Sequence, residues 1–582
     1  MATKIYNVTD LQNIQNDLSG DYELANDIDA SETSGWNWNA GRGVHEGFVP
    51  IGTSNDPFTG KLDGKGFNIT GLYINREAFQ SGAFFQTLAL IAATDGAIIQ
   101  NVNLVDVDIS AHGTERANAS SLIGRLEFSE CHNCTASGQV QAVSDDSWVN
   151  ASGLIGMLRD SIATNCHTSC VVTGQAGIDR CYVAGFTRLL YEGAEVSNCS
   201  ATGDVLAIGG TQIINAAGFV STIYGASHIS DCFASGDVSL NVNPGRGLAS
   251  GFINTCYDAS TLTNCHAEGN ISAVTGEGGS AEGFGGSPYN AGTTYTRCYC
   301  TGDVEITSAL GQAHGRDIYA AGFVVYWGSG FNAIECYSTG DVTATCLDGR
   351  VRAAGFVVSP ERGRSQRCYC TGNVVAVGNQ GNVSAGGFAA WTWHFLATDC
   401  YCTGSVHAET TDANAYAGGF TSDVDGGDSD VVNCYSTSAV SGVVVNGTLG
   451  LGGFCEWHGG GNITDCFWDT QTSGQATSDG GEGKTTAEMR NIETFAEWDI
   501  QRTAVSRNNR YPFLSWEIGN SPTWLLSGDA PTNPHPVGYA DDYRPEKTAL
   551  ELLRNVEMEA GGRVFVDKSG NLHYDSRFAR NA

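Results

Sequence analysis

From about residue 96 onward, apolar and polar positions alternate in short runs, as in Cys336-Tyr337-Ser338-Thr339-Gly340-Asp341-Val342. Alternation with period two places every second side chain on one face, which is the pattern of a half-buried strand. No segment before residue 545 holds a 3.6-residue apolar period, so helical repeats of similar length are not expected. The runs themselves recur about every 33 residues, as NCSATGDV from Asn198, DCFASGDV from Asp231, RCYCTGDV from Arg297 and ECYSTGDV from Glu335. Aligned on this phrase are eleven cysteines, Cys134, Cys166, Cys199, Cys232, Cys265, Cys298, Cys336, Cys368, Cys400, Cys434 and Cys466, separated by 32 to 34 residues apart from one step of 38. A second phrase, Gly-Phe after a small residue, keeps the same interval at Phe186, Phe219, Phe252, Phe323, Phe388 and Phe454.

Two landmarks per unit at a fixed period predict stacked coils. The expected fold is all-β, a right-handed parallel β-solenoid of about a dozen coils of about 33 residues. At about 4.8 Å per coil the rod would be roughly 55 to 60 Å long. The 76 glycines and only 11 prolines suit a chain that turns several corners per coil and keeps its strand amides free to bond.

If the ladder cysteines point inward, the residues that follow them point outward as an aromatic column: Phe233, His266, Tyr299, Tyr337, Tyr369, Tyr401, Tyr435 and Phe467. A second column follows the Gly-Phe phrase. It comprises Tyr191, Tyr224, Tyr257 and Tyr289, each five residues after its Phe, then Tyr326, Trp327, Trp391, Trp393 and Trp457. Rigid aromatic faces on a lattice can stack on sugar rings or form a protein interface, and the second column supplies the candidate glycan or receptor residues. Cross-strand packing between coils is the alternative role for both columns.

Adjacent coils hold aligned Cα atoms within reach of a disulfide. A ladder of eleven cannot pair completely, and buried thiols pack as small apolar groups, so mostly reduced cysteines are expected. Cys370 and Cys402, in consecutive coils, are the candidates for a local disulfide. The pairs Cys131/Cys134 and Cys166/Cys170 have zinc-like spacing but fall within the repeat's own cysteine position.

On these residues the chain resembles the GLUG-repeat family, β-solenoids of secreted adhesins and of bacterial and archaeal surface proteins. The resemblance spans roughly residues 5–525. It includes an entry segment (Leu11 to Ala30, Gly47 to Gly52, Phe58 to Gly64) and an exit (Cys466 to Asp469, and Tyr511 to Trp516). It implies a fold and no single activity. The expected organisation is an entry and cap over 1–95, repeats over 96–470, and a C-terminal cap over 471–528. A Pro-rich hinge with a helix-hairpin module follows over 529–582, with the helix from Pro545 to Ala560 and the hairpin from Arg563–Val566 and Asn571–Tyr574. That last module resembles a segment of tailed-phage tail and baseplate proteins, which implies anchoring or oligomerisation.

Charge then narrows the partners. A net charge of −33 argues against nucleic acid and against a bare anionic membrane. The 24 Arg against 6 Lys on an acidic chain suggest adaptation to concentrated salt and a haloarchaeal setting. The N-terminus lacks the pattern of a secretory signal, and no apolar run of 18 residues could span a bilayer. A virus particle released by lysis needs no such signal.

Asp423, Asp425, Asp428 and Asp430 are spaced like the opening of a calcium loop. The twelfth position, where an EF-hand has Glu, is Cys434. A solvated acidic loop is the expected reading of this run, with calcium as the alternative. Catalysis would require paired carboxylates at a sugar groove. Asp258, Glu361 and Glu456 are scattered candidates, and they form no recognisable constellation.

The expected function is a non-enzymatic virion surface protein, a tail fibre, spike or appendage that attaches to a host glycan or surface protein. It would be homo-oligomeric and bound to other virion structural proteins, without nucleic acid or membrane insertion. The alternatives are a cellular adhesin or surface-layer protein, or a tailspike-like polysaccharide lyase or hydrolase.

Overall fold

The corner that opens each coil accounts for the first half of the repeated phrase. The residue before every ladder cysteine, from Asn133, Asn165, Asn198 and Asp231 through to Asp465, takes left-handed backbone with φ between 49° and 56°. Asn and Asp tolerate that region best among residues with a Cβ, and they occupy eight of the eleven positions. Their side chains also tie coil to coil. Asn133 Nδ2 donates to Asn101 Oδ1 at 3.1 Å, Asn165 to Asn133 at 3.0 Å, and Asn198 to Asn165 at 2.5 Å.

Close approach and capping explain the second half, Gly-Asp. A Cβ on Gly236, Gly269 or Gly302 would lie 2.0 to 2.1 Å from the carbonyl oxygen of the glycine one coil earlier, so only Gly fits. The following carboxylate or amide then accepts the N–H of the next coil's counterpart. Asp204 Oδ1 takes Asp237 N at 3.0 Å, Asp237 takes Asn270 at 2.8 Å, and Asp303 takes Asp341 at 2.8 Å.

The computed structural model describes residues 2–501 apart from 78–79, 82–83, 86, 115, 289–291, 309–316, 326–329 and 497, together with 511–519, 563–566 and 572–575. Over these residues the chain is a parallel β-solenoid. One coil illustrates the plan. His228–Ser230, Phe233–Ala234 and Val238–Val242 belong to a 38-stranded sheet, Arg246–Ser250 to an 11-stranded sheet and Ile253–Cys256 to a 7-stranded sheet. The next coil repeats this in register, with Ile229 opposite Leu262, Phe233 opposite His266, Val238 opposite Ile271 and Ile253 opposite Gly285. Pairing continues back through Ile98–Gln100, Lys61–Asp63 and Asp21–Leu24 to Thr3–Ile5, so the entry segment is itself part of the stack.

The third sheet ends at Gly285–Pro288. Beyond it that face continues as single bridges, such as Val324 to Val357 and Ala389 to Thr421, and as the pair Thr421–Val424 with Cys455–His458. Among the described residues, regular strand pairing is interrupted on this face after Pro288.

Inside the rod, nine phenylalanines from Phe186 to Phe454 stack with ring centroids 4.6 to 5.0 Å apart. All are fully buried. Each contributes about 2 to 3 kcal/mol of apolar transfer energy. All 20 cysteines are buried free thiols, and the ladder thiols donate to backbone carbonyls, as Cys232 Sγ does to Ser230 O at 3.1 Å.

Both ends of the stack are closed. Near the start, helix α1 (Val8–Gln12), capped by Asn7, buries Val8 and Leu11. After the last coil, α2 (Thr470–Ser473) starts at Asp469, whose carboxylate accepts Gln471 N and Thr472 N, and α3 (Thr486–Met489) has a Thr485/Glu488 capping box. At four or five residues these helices are too short to show a 3.6-residue period.

The chain divides into two units, Met1–Leu514 and Ser515–Ala582. Within the second, the described residues form the short helix Trp516–Gly519 and an antiparallel hairpin of Arg563–Val566 with Leu572–Asp575. That hairpin matches the expected one to within a residue. The expected helix from Pro545 to Ala560 lies outside the described residues.

Candidate functional site

The first aromatic column forms as a stack. From Phe233 through His266, Tyr299, Tyr337, Tyr369 and Tyr401 to Tyr435 the ring centroids are 4.6 to 5.1 Å apart, with interplanar angles of 5° or less. It is not exposed along its length, which corrects the sequence expectation. Phe233 to Tyr369 are half-buried, and Tyr401, Tyr435 and Phe467 are buried. The C-terminal cap folds back over that end. Phe495 lies edge-on to Tyr435, Trp498 stacks on Phe467 at 5.4 Å, and Tyr435 Oη donates to Pro512 O. Burial lowers the His266 pKa to about 4, so this rung is neutral. The column's main role is structural.

The second column is partly assembled. Tyr224 and Tyr257 stack at 4.3 Å with a 6° tilt, while Tyr191 and Tyr224 are tilted at 6.4 Å, with Arg159 5.4 Å from the Tyr191 ring. Tyr289, Tyr326 and Trp327 lie outside the described residues. Trp391 and Trp393 meet on the irregular face, and Trp457 lies two coils further along it. The rings of Trp391 and Trp393 are 6.4 Å apart, Arg352 sits 4.8 Å over Trp391, and Trp457 pairs in register with Asp423. Trp393 and Trp457 are 41% and 46% exposed, which leaves their rings open to a ligand.

A cleft of about 280 Å³ opens beside them, lined by Ser384, Tyr416, Ser422, Asp423, Glu456 and Trp457. The second and third faces of the solenoid meet here. Ser384 and Tyr416 come from the former, and the others from Thr421–Val424 and Cys455–His458. Asp423 Oδ1 accepts Thr392 N at 2.8 Å. Burial pushes its carboxyl up to about 7, with the like charges of Asp425 and Glu456 adding to the rise and the Thr392 N–H and Arg352 opposing it. Glu456 is raised as well, by burial and then by Asp479. The Ser422 hydroxyl, almost completely buried, has no hydrogen-bond partner. The cleft thus offers two carboxyl groups, one of which holds its proton near neutrality, a free hydroxyl and an indole face. A sugar ring stacked on an aromatic face needs this mixture of donors and acceptors.

Sequence reasoning named Glu456 and Asp423 separately and did not pair them. They are 33 residues apart, one coil length, and that interval was the available signal. Asp258 is used structurally, accepting Gly225 N at 2.8 Å. Glu361 pairs through its backbone with Trp393.

The aspartates proposed for calcium are not brought together. Asp423 faces the cleft, Asp425 accepts the N–H of Gly426, Asp428 contacts His394, and Asp430 begins the strand Asp430–Ser436. Among the described residues, the group whose ligand atoms converge is Cys131, Cys134 and Cys166, with Cys131 and Cys166 Sγ atoms 3.7 Å apart. Cys370 and Cys402 lie opposite each other as the repeat predicts. They are separate thiols, each donating to a glycine carbonyl at 3.0 Å.

No helix among the described residues is long and apolar enough to cross a membrane. No family model matches the chain. A stretch of 110 residues, 18% of the chain, is 41% identical to part of halomucin from Haloquadratum walsbyi and spans 1% of that protein's length. Among solved structures, a Bacteroides ovatus protein described as a "putative immunoglobulin A1 protease" aligns over 47% of this chain and 78% of its own, at 18% identity and a TM-score of 0.34.

Proposed function

We propose that this chain is a non-enzymatic attachment rod of the GLUG-repeat type on the surface of a virus particle that infects a salt-adapted prokaryote. It holds a host glycan on the irregular face of its solenoid. The observation that carries this reading is the cleft itself: exposed Trp457 beside Asp423, Glu456 and the unpartnered Ser422 hydroxyl, on a face where regular strand pairing is interrupted. A regular scaffold with variable chemistry along one face is how repeat proteins present binding surfaces. The acidic, Arg-biased composition and the partial likeness to halomucin support a salt-adapted surface protein. The C-terminal unit serves to anchor or oligomerise the rod among other virion proteins. Peptide mass spectrometry on purified particles and on washed envelopes of uninfected cells tests the location. The chain is expected in particles alone, and its presence in uninfected envelopes would instead make it a cellular adhesin or surface-layer protein.

One observation favours a second reading. A carboxyl group held protonated near pH 7 beside another carboxyl group is what acid-catalysed glycoside cleavage requires. Asp423 would be the acid and Glu456 its partner. Cleavage of a polysaccharide that is lost in Asp423→Asn would establish this reading, and intact polymer after prolonged incubation would exclude it for that substrate.

A further inference from the structure

Some eight coils from the Asp423 cleft, roughly 38 Å along the rod, the same junction of faces opens a second cleft of about 220 Å³. Its chemistry is inverted. On a chain with net charge −33, its lining includes Arg116, Arg125 and Arg188, with Trp148 and Asn150, and among the described residues no Asp or Glu lines it. Arg125 is offset by Glu127 at 2.7 Å. Arg116 stacks 4.6 Å from the Trp148 ring, and Arg180 lies 5.2 Å from the same ring.

Arg188 is the telling residue. Its side chain is half-buried, its Nε is enclosed with no hydrogen-bond partner, and the Tyr182 ring lies 4.9 Å from its guanidinium. Among the described residues no carboxylate forms an ion pair with it, although the chain carries 63 acidic residues against 30 basic ones. Burial lowers its pKa and the like charge of Arg116 adds to this, while Tyr182 and Tyr224 oppose it. The Asn150 Oδ1 and Ser152 Oγ atoms that line the cleft are buried without partners too.

An uncompensated buried cation destabilises a fold, and removing it for an apolar side chain of similar size is commonly stabilising. Guanidinium groups are also the side chains best suited to bidentate binding of planar oxyanions. We infer that the cleft around Arg188, Arg116 and Arg125 is an anion subsite that takes the carboxylate or sulfate ester of an acidic sugar chain. Asn150 and Ser152 are placed to bond the neighbouring hydroxyls. This deepens the attachment reading, on which the sugar identity of the ligand rests. The two clefts would engage one polysaccharide at two points along the same face, with the acidic residue selected at the Arg188 end.

Calorimetric titration of the full chain at fixed ionic strength with an oligouronate, a neutral oligoglucoside of the same length and inorganic sulfate tests this. The oligouronate is expected to bind at least tenfold tighter than either comparison ligand. Arg188→Met should lose at least tenfold in oligouronate affinity while raising the unfolding midpoint, a pairing that a structural arginine would not give. Arg116→Gln, at another arginine of the lining, should weaken the same ligand. Equal binding of neutral and acidic oligosaccharides, or unchanged affinity in both variants, would overturn the inference and leave the attachment reading standing. Sulfate binding as tightly as the oligouronate would overturn the sugar-chain assignment, and binding of neither oligosaccharide would count against both readings.

Discussion

Gly251→Ala is expected to lower the stability of the solenoid unit by about 3 kcal/mol, the scale of severe overpacking. The glycine of each Gly-Phe phrase lies against its counterpart in the next coil. A Cβ at Gly251 would sit 2.1 Å from Gly283 O and 2.9 Å from the Ala267 Cβ, both held by the coil stack. No flexible side-chain end can yield there, so the coils must separate and lose the bonds from Gly251 N to Glu282 O and from Phe252 N to Phe284 O. Gly427→Ala is the control, because a Cβ there meets nothing within 4 Å, and its effect should stay within about 0.5 kcal/mol. Denaturant unfolding of the two variants decides the matter. Equal midpoints would mean that the coils do not stack in this register.

Asp423→Asn is expected to stabilise the protein at pH 8 and to flatten its stability between pH 4 and 7. The folded carboxyl has a pKa raised to about 7 from an ordinary value of 3.8. Between those values the folded state keeps a proton that the unfolded chain has released, so stability falls as pH rises through the window and is level above it. The shift corresponds to a penalty on the order of 2 to 4 kcal/mol at pH 8, with burial its first cause. Asparagine keeps an oxygen for Thr392 N and removes the charge. Midpoints measured across the pH range should show the slope in the parent chain and lose this contribution in the variant. A variant no more stable than the parent at pH 8 would contradict the assigned burial.

A carboxyl buried beside two others in a cleft marks a candidate functional site. The same reasoning applies to Arg188 at the other cleft. Both positions lie where the second and third faces of the solenoid meet.

The solenoid was legible because its physics repeats. Each coil must place a small group at the close approach, an oxygen acceptor at the corner and an apolar side chain in the interior, so Gly, Asp or Asn, and Cys or Phe return every 33 residues or so. The ladders of Phe and Cys could therefore be read from spacing alone. Coverage of the first aromatic column could not. Trp498 and Phe495 follow their partner Phe467 by about 30 residues but belong to no repeat, so nothing in the sequence indicates that they fold back on it. The corner asparagines were visible in the repeated phrase and went unread, since their left-handed φ is a backbone property.

The clefts were illegible for another reason. Each draws residues from several coils and from two faces, and sequence spacing gives the coil of a residue more readily than the face it occupies. Asp423 looked like part of an acidic loop because Asp425, Asp428 and Asp430 follow it. In the structure a strand sends it toward Glu456, away from Asp428 and Asp430. Arg188 carried no signal at all, because what marks it is the absence of a carboxylate partner.

The most direct test of glycan attachment is binding of the full chain and of Trp457→Ala to an array of microbial surface glycans. Trp457 is 46% exposed, so its truncation leaves the interior ladders intact. The account predicts retention of a restricted set of glycans by the parent chain and a loss of at least tenfold in the variant, as for an aromatic hot spot of about 2 kcal/mol. No retained glycan, or the same retention in both proteins, would contradict it.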